Sequence, residues 1–156
     1  MPPTENDTIQ GLLPCATEST EATLALGTRV AATLAPGTVL ALYGDLGAGK
    51  THFVKGIAEG LGIPPAEVRS PTFTILSVYE NGETPLYHFD AYRVQNPDEF
   101  VELGFEEYAR GDGITCIEWA DRIPDLLPPD TIHLRFHHVA PSERRITLGA
   151  PDAALH

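Results

Sequence analysis

Apolar positions recur along this chain with two periods, and glycine and proline mark most of the boundaries between them. From Ser19, which can cap a helix, with Glu21 complementing the dipole, Leu24, Gly27, Val30, Ala31 and Leu34 fall on one helical face. Pro36 and Gly37 end that helix. Thr38 to Tyr43 is an apolar run of strand length, and a second helix follows it, carrying Phe53, Ile57, Ala58 and Leu61 and stopping at Gly62. Phe73 to Tyr79 and Leu86 to about Tyr92 read as two strands of a hairpin around Asn81 and Gly82. Asn96, Pro97 and Glu99 predict a capped helix start, with Phe100, Leu103 and Tyr108 marking the helix and Gly104 weakening it midway. Ile114 to Ile117 is a further strand. A short helix near Asp121 to Leu127 stops at Pro128 and Pro129, and two last strands span about 131–137 and 144–148.

Strands alternating with helices predict an α/β fold, and the hairpin makes its central sheet mixed, with both parallel and antiparallel strands. At 156 residues the chain is long enough to bury an α/β core in one domain. The expected organisation is a flexible N-terminal segment over 1–16, a single domain over 17–149 and a C-terminal tail over 150–156. The first eleven residues are polar and proline-bearing, which argues for poor order there.

Between the strand ending at Tyr43 and the helix after it lie Gly44, Asp45, Leu46, Gly47, Ala48, Gly49, Lys50 and Thr51. Their spacing is G-x-x-x-x-G-K-[ST], the Walker A phosphate-binding loop, in the strand-turn-helix context that the motif requires. Gly44, Gly47 and Gly49 can take positive φ and carry no Cβ, so the backbone can curl and aim successive N–H groups at an anion. The following helix offers its unpaired first-turn N–H groups and the positive end of its dipole to the same point. Lys50 is then expected on the β- and γ-phosphates and the Thr51 hydroxyl on Mg²⁺. Lys50 is expected to face solvent when no nucleotide is bound. His52, next in the chain, is expected to cap the helix or face water.

Hydrolysis needs acidic groups to hold the metal and orient water, and open α/β sheets place such groups at the carboxyl ends of strands. Asp90 ends one apolar run and Glu118 another. Period-two alternation sets His88, Asp90 and Tyr92 on one strand face. Asp90 has a plain alternative, a strand-end pair with Arg93. Glu118 follows four mostly apolar residues and calls for a partner such as a metal. His88 reads either as a group orienting Asp90 or as a satisfied core histidine. Trp119, the only tryptophan, either stacks on a nucleotide base or packs in the core.

The formal charge of −12 argues against a direct electrostatic grip on nucleic acid or an anionic membrane. Lys50 and Lys55 are the only lysines, so lysine is nearly confined to the candidate site. The adjacent Arg144 and Arg145 read as a solvated strand end. Cys15 and Cys116 have no metal-ligand spacing, and Cys116 reads as a small core residue. No leader-like start and no membrane-length apolar run are seen, so a cytoplasmic, reduced setting is expected.

These residues together resemble the bacterial TsaE (YjeE) family: residues 44–51, Ser70 to Thr74, His88 to Arg93, the stretch around Glu102, and Ile117 to Arg122. The resemblance runs in order over roughly residues 17–149. It implies a P-loop NTPase-like three-layer sandwich. It also implies an ATPase required for threonylcarbamoyladenosine modification beside the tRNA anticodon, acting through a TsaB–TsaD heterodimer, with ATP and Mg²⁺ as cofactors. Residue by residue it implies Lys50 on phosphates, with Thr51, Asp90 and Glu118 around Mg²⁺. Trp119 is implied near the base, and Ser70 to Thr74 as a switch-like segment with Thr72 nearest the γ-phosphate. His52 departs from the Thr or Ser that members usually carry. A small-molecule or nucleoside kinase shares the loop, and a module that senses ATP without turning it over stays open as a third reading. A guanine-specific switch is disfavoured, since no N-K-x-D motif occurs.

Overall fold

The computed structural model describes residues 8–44, 49–69 and 75–149. Helices α1 (Ile9–Leu12), α2 (Thr20–Ala31), α3 (Lys50–Gly60), α4 (Asp98–Glu102) and α5 (Phe105–Ala109) combine with seven strands. The strands are β1 (Cys15–Thr17), β2 (Val39–Tyr43), β3 (Leu76–Tyr79), β4 (Leu86–Asp90), β5 (Ile114–Glu118), β6 (Ile132–Ala140) and β7 (Glu143–Leu148). They form one mixed sheet in the order β1-β7-β6-β2-β5-β4-β3. The centre is parallel, with β2 between β5 and β6 and β4 beyond β5. Antiparallel strands close both edges, β3 on β4 at one side and β7 with β1 at the other.

Alternation along the central strands sorts side chains to two cores, which makes the architecture a three-layer sandwich. Leu40, Leu42, Leu86, Ile114 and Cys116 face α2 and α3, where they meet Leu26, Val30, Phe53, Val54 and Ile57. Val39, Ala41, Tyr43, Tyr87, Phe89 and Ile117 face the other side and meet Phe100 and Phe105 of α4 and α5. Phe89 lies 5.2 Å from the rings of both Phe100 and Phe105. Burying a large apolar side chain of this kind stabilises the fold by about 1.5–3 kcal/mol.

Helix α2 starts as its sequence predicts, with the Ser19 hydroxyl accepting from the Ala22 N–H at 3.0 Å. Its buried stripe runs through Thr23, Leu26, Gly27, Val30 and Ala31, rotated towards Leu26 and leaving Leu24 half-buried. The rotation follows from the crossing with α3, where backbone meets backbone. A Cβ on Gly27 would stand 2.3 Å from the Phe53 carbonyl oxygen, and one on Gly56 would stand 2.0 Å from that of Leu24. The Thr28 hydroxyl donates to the Gly56 carbonyl across the same contact at 3.1 Å. This crossing packs α3 backbone to backbone against α2, and the N-terminus of α3 carries the candidate site.

Several elements differ from expectation. Two stand ahead of residue 17: α1, whose Ile9 is buried along with neighbouring Leu13, and β1, paired to β7. Residues 8–16 are therefore built into core and sheet, in pieces too short to display a period. The single helix expected after Pro97 is broken, because Gly104 takes φ 85° between α4 and α5. Half of the capping box is present: Glu99 accepts from Asn96 N–H at 3.2 Å, while the Asn96 side chain accepts from Asp98 N–H at 3.0 Å, two residues on, rather than from Glu99 N–H. β4 ends at Asp90 rather than near Tyr92. The short helix expected at 121–127 is two 3₁₀ turns, Ala120–Arg122 and Pro124–Leu126, since Pro124 cannot continue a helix begun before it. β3 is described only from Leu76. Asp45 to Ala48, Ser70 to Thr74 with Thr72, and the expected tail from residue 150 lie outside the described residues. No helix among the described residues is long and apolar enough to cross a membrane.

Candidate functional site

Parallel register brings the carboxyl ends of β2, β5 and β4 level. Leu42 pairs with Glu118, and Glu118 with Asp90, so both acids stand beside the start of the glycine loop. At the loop's two described ends Gly44 has φ 150° and Gly49 φ 96°, in the region that favours glycine. A Cβ on Gly49 would find only ordinary contacts, with Thr23 Cγ2 at 3.6 Å and Arg144 Cγ at 3.8 Å, so the backbone angle rather than space calls for glycine there. The same contact puts Arg144 next to the loop, while its guanidinium donates to the Ala140 carbonyl at 3.0 Å. Gly49 also accepts the first bond of α3, from Phe53 N–H.

Lys50 does not face solvent. It is 4 % exposed, and its ammonium donates to the Gly44 carbonyl while standing 3.8 Å from the centroid of the Trp119 ring. A lysine placed at the first turn of a buried helix finds in a carbonyl and an aromatic face the contacts that water would otherwise give. Trp119 takes φ 59°, the only non-glycine residue with positive φ among those described. That turn directs the chain out of β5 and sets the indole against Lys50 and, at 4.9 Å, the Tyr92 ring. Arg122 stands 5.8 Å from the other ring of this stack, Tyr92. Trp119 is thus half-buried at the site, packed at the margin of the second core.

Glu118 is 4 % exposed and stands between two other elements. From α3 the Thr51 hydroxyl reaches both of its carboxylate oxygens, each at 3.3 Å. From β4 the His88 Nε2 reaches Oε2 at 2.6 Å. His88 is fully buried and its contact is with Glu118, not with Asp90. Asp90 is half-buried, and its Oδ1 accepts from the Tyr92 N–H at 2.8 Å, while Arg93 is exposed. Burial raises the Asp90 carboxyl above the usual aspartate value; the Tyr92 N–H bond opposes this, and the nearby Glu118 adds to it. His52 is half-buried on α3.

Thr51, Glu118 and Asp90 offer only hard oxygen donors, which suits Mg²⁺. Among the described residues no grouping of three or more His, Cys, Asp or Glu could hold a metal on its own. An ion held by one or two carboxylates, a hydroxyl and the phosphates of its own ligand requires no such cage. Of the residues singled out from sequence, the structure brings Gly44, Gly49, Lys50, Thr51, Glu118 and Trp119 into one neighbourhood with Asp90 on the adjacent strand end. It adds His88 as a direct partner of Glu118. The signal for that was partial: alternation puts His88 on the face of Asp90, but its reach to Glu118 depends on the pairing of β4 with β5.

The family described as "Threonylcarbamoyl adenosine biosynthesis protein TsaE" matches residues 17–146. The chain is 47% identical over 134 residues to the tRNA threonylcarbamoyladenosine biosynthesis protein TsaE of Bacillus subtilis, a match covering 86% of this chain and 83% of that protein. The TsaE of Treponema pallidum is 42% identical over 134 residues, 86% of this chain and 98% of its own. A crystal structure of YdiB from Bacillus subtilis superposes with a TM-score of 0.73 at 39% identity, covering 91% of this chain and 87% of that one. With a family match over most of its length, relatives this similar and a shared fold, the chain belongs to the TsaE family.

Proposed function

We propose that this protein is a Mg²⁺-dependent ATP hydrolase that serves threonylcarbamoyladenosine modification of tRNA by acting on a TsaB–TsaD heterodimer. The observation that carries the reading is the approach of the Thr51 hydroxyl to both oxygens of Glu118 at the N-terminus of a helix that opens on a glycine loop and Lys50. A structural carboxylate would not need a hydroxyl and a glycine-bounded anion site in front of it.

On this reading Lys50 moves from the Gly44 carbonyl to the β- and γ-phosphates, and the first-turn N–H groups of α3 hold the same anion. Thr51, Glu118 and Asp90 would hold Mg²⁺, which when bound supplies neutralisation of charge on the phosphate oxygens. Glu118 and Asp90, side by side on paired strands, orient water for in-line attack. Trp119 offers a face to the nucleotide base.

The partner arm of the proposal is supported by family membership, by the charge of −12 and by the exposed Tyr92, Val101 and Leu103, which lie along the chain between the two acids. Arg93 is exposed, so the isolated chain is expected to hydrolyse ATP slowly and to gain rate when the partner adds charge or order. Phosphate release from ATP by the purified chain with Mg²⁺, compared with Thr51→Ala and Glu118→Gln, tests the site. A fall of about 10²-fold or more in each variant, about 2.7 kcal/mol of transition-state stabilisation, is the expected result. Transfer of phosphate to an added acceptor, with no release to water, would favour a kinase instead.

A further inference from the structure

We propose that His88 is a positioning residue that fixes the Glu118 carboxylate in front of Thr51; the inference rests on the ATPase reading and deepens it. Three observations carry it. His88 Nε2 stands 2.6 Å from Glu118 Oε2, with His88 wholly enclosed and Glu118 nearly so. His88 pairs by register with Cys116, so its imidazole reaches diagonally to Glu118, two residues further along β5 on the same face. And His88 Nδ1 has no hydrogen-bond partner among the described residues, where the ring's one polar anchor is that carboxylate.

The chemistry of the pair follows from what each atom can do. A carboxylate oxygen only accepts, so Nε2 donates, while Nδ1 is enclosed with no partner among the described residues. Enclosing an imidazole with one unpartnered nitrogen costs stability, and the bond to Glu118 offsets that cost by giving a buried carboxylate its donor. The arrangement makes physical sense if the imidazole holds the carboxylate. Without the Nε2 donor, Glu118 is free to turn about its side-chain torsions, and both of its 3.3 Å approaches to Thr51 depend on the present rotamer. Hydrogen bonds of this outer kind orient acidic groups that face a metal or a water, and removing them typically costs about 10- to 100-fold in affinity or activity.

The replacement amides discriminate position from bulk. A glutamine amide nitrogen reaches about as far from the backbone as histidine Nε2, and an asparagine amide only as far as Nδ1. The test compares His88→Gln, His88→Asn and His88→Phe in the full chain. The expected result is that His88→Phe and His88→Asn lower kcat for ATP by about 10- to 100-fold with KM within about threefold, while His88→Gln recovers most of the loss. A readout independent of turnover is the histidine-ring nitrogen spectrum of the unloaded chain. One of the six histidines should be locked with its proton on Nε2, and that signal should change in Glu118→Ala.

Wild-type turnover in His88→Phe, or equal loss in the glutamine and phenylalanine variants with folding intact, overturns the positioning role and leaves the ATPase reading standing. If wild-type protein releases no phosphate, the ATPase reading falls instead. The nitrogen spectrum then decides His88 separately: a mobile ring, an Nε2 that carries no proton, or a signal unchanged in Glu118→Ala overturns it. Should His88→Phe fail to fold, the glutamine and asparagine pair carries the comparison.

Discussion

The Lys50 ammonium stands 3.8 Å from the centroid of the Trp119 ring, so the lysine that opens α3 and the only tryptophan of the chain are in contact. On the proposed ATPase reading, phosphate groups and the indole face compete for the same cation. Trp119 emission is expected to change on adding Mg²⁺·ATP and to saturate with it. Lys50→Met keeps the buried stem and removes the charge, so it should shift the emission of the free protein and weaken ATP binding by at least about tenfold, about 1.4 kcal/mol. Unchanged emission at saturating nucleotide, or normal affinity in Lys50→Met, would contradict the placement of Lys50.

Trp119 also tests backbone strain. A residue with a Cβ at φ 59° is strained, and glycine is not. Comparing Trp119→Ala with Trp119→Gly removes the ring in both and varies only the backbone. The glycine variant should be the more stable by about 1 kcal/mol in urea denaturation, despite the larger entropy its unfolded chain gains. A more stable alanine variant would show that the turn after β5 relaxes without cost.

The crossing of α2 and α3 leaves no room for a methyl group at Gly56, where a Cβ would stand 2.0 Å from the Leu24 carbonyl oxygen. Gly56→Ala should therefore destabilise by about 2 kcal/mol or more, although alanine is the better helix former. Denaturant midpoints measure this directly. Neutral or improved stability would mean that the two helices separate easily, and α3 would then be a poor anchor for the loop.

Tyr43 supplies a pH prediction away from the acids. Burial, with a smaller push from Asp121, raises its phenol to about 12, and its hydroxyl lies 2.7 Å from His133 Nδ1. Between the ordinary phenol value of 10.0 and about 12 the folded chain retains a proton that the unfolded chain releases. Stability must therefore fall as pH rises through that window, and the Tyr43 contribution is fully present below pH 10. Tyr43→Phe should flatten this part of the stability profile. A variant profile parallel to wild type from pH 10 to 12 would contradict the shift.

Most of the fold was legible from local patterning, because its long elements have clean periods and sharp stops. Ser19 capping α2, the run that becomes β2, and the Asn96 turn ahead of α4 all follow from rules acting within a few residues. What escaped was set by contacts distant in sequence. β1 exists because β7 offers it an edge, and three residues cannot announce that alone. Lys50 is buried because Trp119, far along the chain, turns back over it. In the site, the glycine loop and both strand-end acids could be named from sequence. The bond from His88 to Glu118 could not, since alternation fixes a face but only strand pairing fixes the neighbour.

The most direct test of the proposed activity is phosphate release from Mg²⁺·ATP by the purified chain, alone and with the TsaB–TsaD pair added. Slow release alone and clear stimulation by the pair, abolished in Glu118→Ala and in Asp90→Ala, is the result the account predicts. Fast release without the pair would contradict partner gating. Tight ATP binding with no release in either condition would contradict hydrolysis itself and leave a nucleotide sensor.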